Sequence, residues 1–434
     1  IGAANDIDVT KLTLTGQGGA TPSVFGHYDV WEAFGEVEVP LVEDAPMAKL
    51  LAIYGGYRIS DYDNAGITHT YKYGAAWAPV DDLRLRGTFQ RAVRAPNVVE
   101  LFTPQRVALF SGSDPCAGAA PAFSPAECLN LGVSALQYGS IIQCPAGQCA
   151  QIAGGNPNLK PEESDTISFG LVFTPKFMKG FSATVDYFDI ELNEVIQTIV
   201  PTIILSECAA TGNPEFCNLV TRTGSGILFG TSGAGVNQTQ QNTGSRRTSG
   251  VDVEATYKLD LGAIDMDNHS LTFNLVGTYV ESYEFTPFSG AEPYECVGLH
   301  GWTCGTLVSP TPDWRHKLRA TWSTDWDVDL SVAWRRISES LYDGNLDVGV
   351  FNDAAGCDGP CGDEAQATIP AYNYIDLAFS WTMSDHITLL GGVNNITDEV
   401  LPLVDNDFAT NGNSYPETYD ALGREAFISM TTRF

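Results

Sequence analysis

Basic residues are scarce in this chain. Lys and Arg total 23 against 53 Asp and Glu, which leaves a net charge of −30. A surface of that sign repels phosphate backbones and excludes a nucleic-acid partner. Long apolar runs are missing as well. The nearest, residues 195–205, is 11 residues long and is interrupted by Gln197, Thr198, Pro201 and Thr202. A membrane helix needs ~18 or more. Histidines are few and scattered: His27, His69, His269, His300, His316 and His386. No GxSxG, HExxH or Walker pattern occurs, so nothing assembles a nucleophile elbow, a zinc-held water or a phosphate cradle. The reading is a non-enzyme without a cofactor. The chain begins at Ile1 with neither an initiator Met nor a signal peptide, and is read as a processed or partial product.

Period-two alternation is abundant. Leu83, Leu85, Gly87 and Phe89 alternate with Arg84, Arg86, Thr88 and Gln90. Ile167, Phe169, Leu171 and Phe173 alternate with Thr166, Ser168, Gly170 and Thr174. Further runs around 181–188, 251–259, 271–279, 314–323, 328–335 and 374–382 repeat the pattern, and earlier ones lie near 28–42, 47–60 and 69–79. Such runs make a sheet with one apolar and one polar face. About thirteen strands are expected, and no convincing helix.

Connection lengths also alternate. Short turns fall at 79–82, 174–180, 324–327 and 384–385, whereas long loops fall near 92–163, 191–247, 284–312, 342–371 and 396–424. Short turns at one end and long loops at the other describe a transmembrane antiparallel β-barrel of the bacterial outer membrane. Strands of about 10 residues tilted by ~45° span roughly 25 Å, the height of a lipid-facing apolar band. A soluble sandwich or propeller is the alternative. Against it stand the charged row Arg315, Lys317 and Arg319 on one polar face, the split of loop lengths by side, and a last strand ending on the aromatic Phe434.

The ten cysteines form five close pairs: Cys116 and Cys128, Cys144 and Cys149, Cys208 and Cys217, Cys296 and Cys304, Cys357 and Cys361. Each pair sits within one long loop. Even, local spacing suggests disulfides and an oxidising compartment. Zinc is the rival, because two of the spacings are near ligand spacing. Each short bridge is worth roughly 2–3 kcal/mol through the unfolded loop.

Four segments carry a family resemblance: FQRAVRAPNVVELFTP (89–104), GGNPNLKPEESDTISFGLVFTP (154–175), GGVNNITDE (391–399) and the terminal GREAFISMTTRF (423–434). In this order they resemble the C-terminal barrel of a TonB-dependent outer-membrane receptor, over nearly the whole chain and least in residues 1–27. That family implies a barrel of about 22 strands, filled by an N-terminal plug and preceded by a short TonB-contacting segment. The plug, that segment and about nine strands are therefore expected on another polypeptide or outside this chain. The resemblance further implies a place in the outer membrane of a Gram-negative bacterium, with the lipid bilayer and the TonB complex as partners. Its function would be active import into the periplasm. For Phe434 it implies a signal read by the outer-membrane assembly machinery.

Substrate contacts are expected on the long loops. PYECVGLHGWTCG (293–305) offers Tyr294, His300 and Trp302 inside one cysteine-closed loop, suited to stacking on sugar rings or binding a peptide. Packing within the loop is the plainer role for Trp302. DNDFATNG (405–412) contributes Asp405 and Asp407, but lacks the Gly and Glu spacing of an EF-hand. No metal site is expected there. Arg84, Arg86, Arg91 and Arg94 would either guide an anionic ligand or pair with inner-wall acids or a plug. A carbohydrate or oligosaccharide is the favoured substrate, with an iron–siderophore or a peptide as the alternative. A passive porin and an adhesive or structural surface barrel are the readings of another class.

Overall fold

Among the described residues, thirteen long strands pair with one another in chain order. They are β1 (Val30–Ala45), β2 (Ala48–Tyr62), β3 (Gly66–Val80), β4 (Leu83–Arg94), β5 (Glu162–Phe173), β6 (Phe181–Asn193) and β7 (Ser245–Asp260). The remainder are β8 (Ser270–Thr286), β9 (Trp314–Ser323), β10 (Val328–Ile337), β11 (Tyr372–Ser384), β12 (Ile387–Asn394) and β13 (Glu425–Thr432). The structure, a computed structural model, describes residues 23–230, 233–301, 310–343, 368–404 and 413–433. Among these, β1 and β13 each have one long-strand neighbour, so closure of the sheet into a barrel is not seen. No helix among the described residues is long and apolar enough to cross a membrane.

Register follows from the alternation. Directly opposed residues of an antiparallel pair share a face. One such row runs Tyr257, Phe273, Ala320, Val332, Leu377, Val393 and Ala426 across seven strands. One residue along, Thr256, Asn274, Arg319, Ala333 and Asp376 oppose each other on the other face. The first face leaves Phe169, Ile428 and Met430 more than 60% exposed, as lipid contact demands and water would punish.

The polar face is knitted together across glycines. Gly170 on β5 lies between Arg86 on β4 and Asp186 on β6. The guanidinium passes over it and holds the carboxylate through two bonds of 2.9 and 2.7 Å. A Cβ on Gly170 would sit 1.9 Å from Asp186 Oδ1. In the same way Tyr54 passes over Gly74 to reach Thr88 Oγ1 at 2.5 Å. Glycine in these strands is therefore a gap for a cross-strand contact two strands wide.

Connections at one end are short, from two residues (46–47) to nine (261–269). At the other end they run 95–161, 194–244, 287–313, 338–371 and 395–424, with one short turn at 63–65. These loops contain helices, contrary to the all-strand expectation: α1 (Val98–Phe102), α2 (Pro125–Asn130), α3 (Pro201–Thr211) and α4 (Pro214–Cys217). Their starts are encoded locally. Asn97 with Glu100 and Ser124 with Glu127 form capping boxes, and Pro opens α2, α3 and α4.

The register predicts how the last strand tolerates charge. Ile428 opposes Gly391, next to Phe379 on the apolar face, whereas Ser429 opposes Leu390, next to Ser380 on the other. Ile428→Lys is expected to cost ~2–4 kcal/mol in lipid and to lower the heat-modifiable folded fraction of the assembled protein. Ser429→Lys should leave it nearly unchanged. Equal losses in the two variants would refute the assignment of faces.

Candidate functional site

At the long-loop end, two of the sequence motifs interlock. Arg94, the last residue of β4, gives Nε to Glu162 at 2.6 Å and both terminal nitrogens to Glu100 at 3.1 Å. Glu162 opens β5, is 6% exposed, and its other oxygen takes the Ile196 N–H at 2.7 Å. Glu100 closes the α1 capping box by accepting from the Asn97 N–H at 2.8 Å. Beneath these charges Leu101, Leu159 and Ile196 pack together. Asn156 ties in the next loop by donating to Gln240 O at 3.0 Å. The prolines of 157–161 hold the chain extended on its way into β5. A single latch thus joins loops 95–161 and 194–244 to the rim.

A second latch has the same plan. Arg335 on β10 grips Asp376 on β11 at 2.8 and 3.0 Å and Asp420 from the loop 395–424 at 2.9 and 2.6 Å, with its guanidinium 4.7 Å above the Tyr374 ring. Asp376 also accepts the Asn395 N–H at 2.9 Å. Asn395 stands at φ 50°, a left-handed position that Asn tolerates. Its side chain accepts from Glu399 N and donates to Glu399 O.

Loops 95–161 and 194–244 together build a small folded cap. Strands Arg106–Ser111, Gln148–Gly154, Gly235–Thr239 and Val220–Thr221 make one sheet, with α2, α3 and α4 packed beside it. The disulfides Cys116–Cys128, Cys144–Cys149 and Cys208–Cys217 are in its core. A fully buried ion pair in it is satisfied on every side. Arg222 holds both Asp114 oxygens, at 2.5 and 2.9 Å, and donates to Leu131 O and Gly226 O at 2.8 Å. Full hydrogen bonding of this kind is what makes a buried pair tolerable.

Between the cap and the rim lies a polar cleft. Gln105, Asn156, Asn158 and Lys160 line one side, and Asn237, Thr239, Gln241 and Asn242 the other, with Glu194 and Leu219 completing it. Asn242 spends its amide on backbone, accepting from Lys160 N at 2.7 Å and donating to Lys160 O and Glu194 O at 2.8 and 2.9 Å. Asn156 is committed likewise, to Gln240 O and Asn158 N. The amide tract VNQTQQN (236–242) is the signal of this cleft in the sequence.

The expected contact residues are placed differently. Tyr294 is 6% exposed and packs with Phe285, Cys296 and Leu299. His300 is 0% exposed, between the rings of Tyr342 and Tyr415 at 6.0 and 5.9 Å. Neither ring offers an open face to a ligand in this conformation. Burial lowers the pKa of His300 to about 4, and a hydrogen bond between its ring and the Ser340 backbone offsets only part of that. Trp302, Cys304, Cys357, Cys361, Asp405, Asp407 and Phe434 lie outside the described residues, as does the stretch 405–412. Cys296 is disulfide-bonded. Of the four arginines, Arg86 and Arg94 pair with acids as above. Arg91 pairs with Asp165 at 2.7 and 2.5 Å, but by register on the face of Phe89 rather than the inner wall. Among the described residues, no cluster of three or more His, Cys, Asp or Glu has metal-holding geometry.

Comparison with known proteins fits this architecture. A family model described as TonB dependent receptor-like, beta-barrel, matches residues 5–396. No curated protein matches the chain. A mutant ferric enterobactin receptor from Pseudomonas aeruginosa, solved with enterobactin, is similar at TM-score 0.57 and 17% identity, over 94% of this chain and 46% of that one. The siderophore receptor PirA from Acinetobacter baumannii gives 0.58 and 15%, over 98% and 48%. The FrpB iron transporter from Neisseria meningitidis gives 0.53 and 9%, over 94% and 46%. At these identities the likeness shows the fold, and the chain spans about half the length of each structure.

Two measurements test the local readings. Glu162→Ala removes the acceptor of Ile196 N–H and one anchor of Arg94. The expected loss is ~2–3 kcal/mol, below the ~3–5 of a fully buried pair because the Arg94 side chain is 45% exposed. Hydrogen exchange should quicken at 97–102 and 194–200 and stay unchanged at 395–404. Uniform or absent change would show that the latch does not exist. For His300 the folded pKa lies below the ordinary 6.5, so the unfolded loop binds the proton more readily. Stability is then complete above pH 6.5 and falls by ~2–3 kcal/mol as pH drops towards 4. Exchange at 294–301 and 340–343, corrected for intrinsic rates, should rise through that window and lose the dependence in His300→Gln. A pH-independent wild type would contradict this.

Proposed function

This chain belongs to the TonB-dependent receptor-like β-barrel family, and on that premise we propose that it forms the C-terminal part of an outer-membrane transporter that imports a substrate into the periplasm. The family's members reside in the outer membrane and are transporters rather than enzymes. The match over residues 5–396 is the observation that carries this reading. The ordered, disulfide-bridged cap supports it, since a receptor needs a shaped surface where its ligand arrives. Edges β1 and β13 are the proposed docking lines for the remaining strands of a barrel of about 22, because unpaired edges in lipid are costly. The plug within that remainder would supply the contact to TonB, and the assembly machinery would read the terminal strand.

The proposed substrate is a carbohydrate or oligosaccharide, supported by the amide-lined cleft. An iron–siderophore is the second reading, favoured by the siderophore receptors among similar folds. A chain carrying a net charge of −30 is a poor general attractor for an anionic ferric complex.

Cells making the complete receptor should accumulate labelled oligosaccharide when TonB is present and lose accumulation at least tenfold when TonB is deleted. Accumulation indifferent to TonB would point to a passive porin. Surface binding with no accumulation in either strain would point to an adhesive barrel. TonB-dependent accumulation of a ferric siderophore in place of sugar would leave the transporter reading standing and replace the substrate.

A further inference from the structure

The cleft between 156–160 and 237–242 contains two kinds of amide. Asn156 and Asn242 are locked to backbone and fix the walls. The others present unused groups. Gln105 donates from Nε2 to Gly155 O, which leaves Oε1 open, and Asn237 accepts from Thr239 N on Oδ1, which leaves Nδ2 open. Asn158 and Gln241 keep the whole side-chain amide without a partner among the described residues. Among the described residues, the only lining charges are Lys160 and Glu194, one of each sign, and the only lining apolar side chain is Leu219.

We propose that this cleft is a binding site for a neutral oligosaccharide. Sugar hydroxyls donate and accept at once, and they match a wall that offers both functions from fixed positions. Opposed single charges make the cleft neutral within a strongly acidic chain. A polyanion such as a ferric tris-catecholate would find one cation there and no second. A hydrophobic ligand would find one leucine. Among the described residues no aromatic ring lines the cleft, so recognition runs through hydroxyl edges rather than ring faces, and affinity for one short glycan is modest, with Kd on the order of 10⁻⁴ M. Here the import reading gives the site its use, and the site names the substrate class of that reading.

The test uses the complete receptor in detergent on an array of neutral oligosaccharides, followed by calorimetry with the best-retained glycan. Asn158→Ala and Gln241→Ala remove amides that hold no structural bond, so both variants should fold and keep the three cap disulfides. The double variant is expected to bind at least tenfold more weakly than wild type, while a ferric tris-catecholate binds neither protein through the cleft. The proposal is overturned if no neutral glycan is retained, if the double variant binds as wild type does, or if the catecholate binds and the two substitutions weaken it. A glycan held in the cleft but never accumulated by energised cells would defeat the import reading alone. TonB-dependent accumulation of a glycan whose binding ignores the double substitution would defeat the cleft alone.

Discussion

An unpaired backbone N–H or C=O in hydrocarbon costs several kcal/mol, and every segment of this chain that enters the bilayer is shaped by that cost. Strands satisfy it only when each has neighbours on both sides. Strand geometry then sends successive side chains to opposite faces. The row from Tyr257 to Ala426 is therefore apolar because it meets lipid, and the row from Thr256 to Asp376 is polar because it does not. The Arg86–Asp186 contact over Gly170 follows from the same constraint. Once backbone bonds fix the strand spacing, two charged side chains can meet across an intervening strand only where that strand lacks a side chain.

The loops are freed from that constraint and inherit another. They stand in water with few residues each, and a small unit buries too little apolar surface to hold itself. Residues 95–161 and 194–244 meet this by sharing one core, three disulfides and the buried Arg222–Asp114 pair. The latches at Arg94 and Arg335 then join loop to sheet rim, each with one carboxylate from the next strand and one from a loop. A rigid cap fixed to a rigid rim gives the cleft between them a defined shape, which is the structural basis for reading it as a ligand site.

Most of the sheet was legible because period two survives in single stretches such as 83–89 and 166–174, where neighbours need not be known. Loop sides were legible for a similar local reason: turn lengths alternate along the chain. The three cap disulfides join cysteines 12, 5 and 9 residues apart, so proximity in sequence stood in for proximity in space. The cap itself was not legible, since its sheet pairs Gln148–Gly154 with Gly235–Thr239 across more than 80 residues of intervening chain. The burial of Tyr294 and His300 was not legible for a related reason. An aromatic in a polar loop suggests a ligand, but whether its face is open depends on loops 338–343 and 413–420 that return from elsewhere. The cleft was missed because its walls come from two loops, although the tract 236–242 was visible in one of them.

The central claim is that one face of this sheet meets lipid and the other an aqueous lumen. Spin labels placed singly from Leu377 to Thr382 on β11, ahead of the register shift between Thr382 and Ser384, in the assembled receptor in bilayers, measure it directly. Odd-numbered positions should be relaxed mainly by oxygen dissolved in lipid and even-numbered ones mainly by a water-soluble nickel chelate, so that the ratio swings with a period of two. A flat ratio along the strand, or one with the parity reversed, would contradict the account.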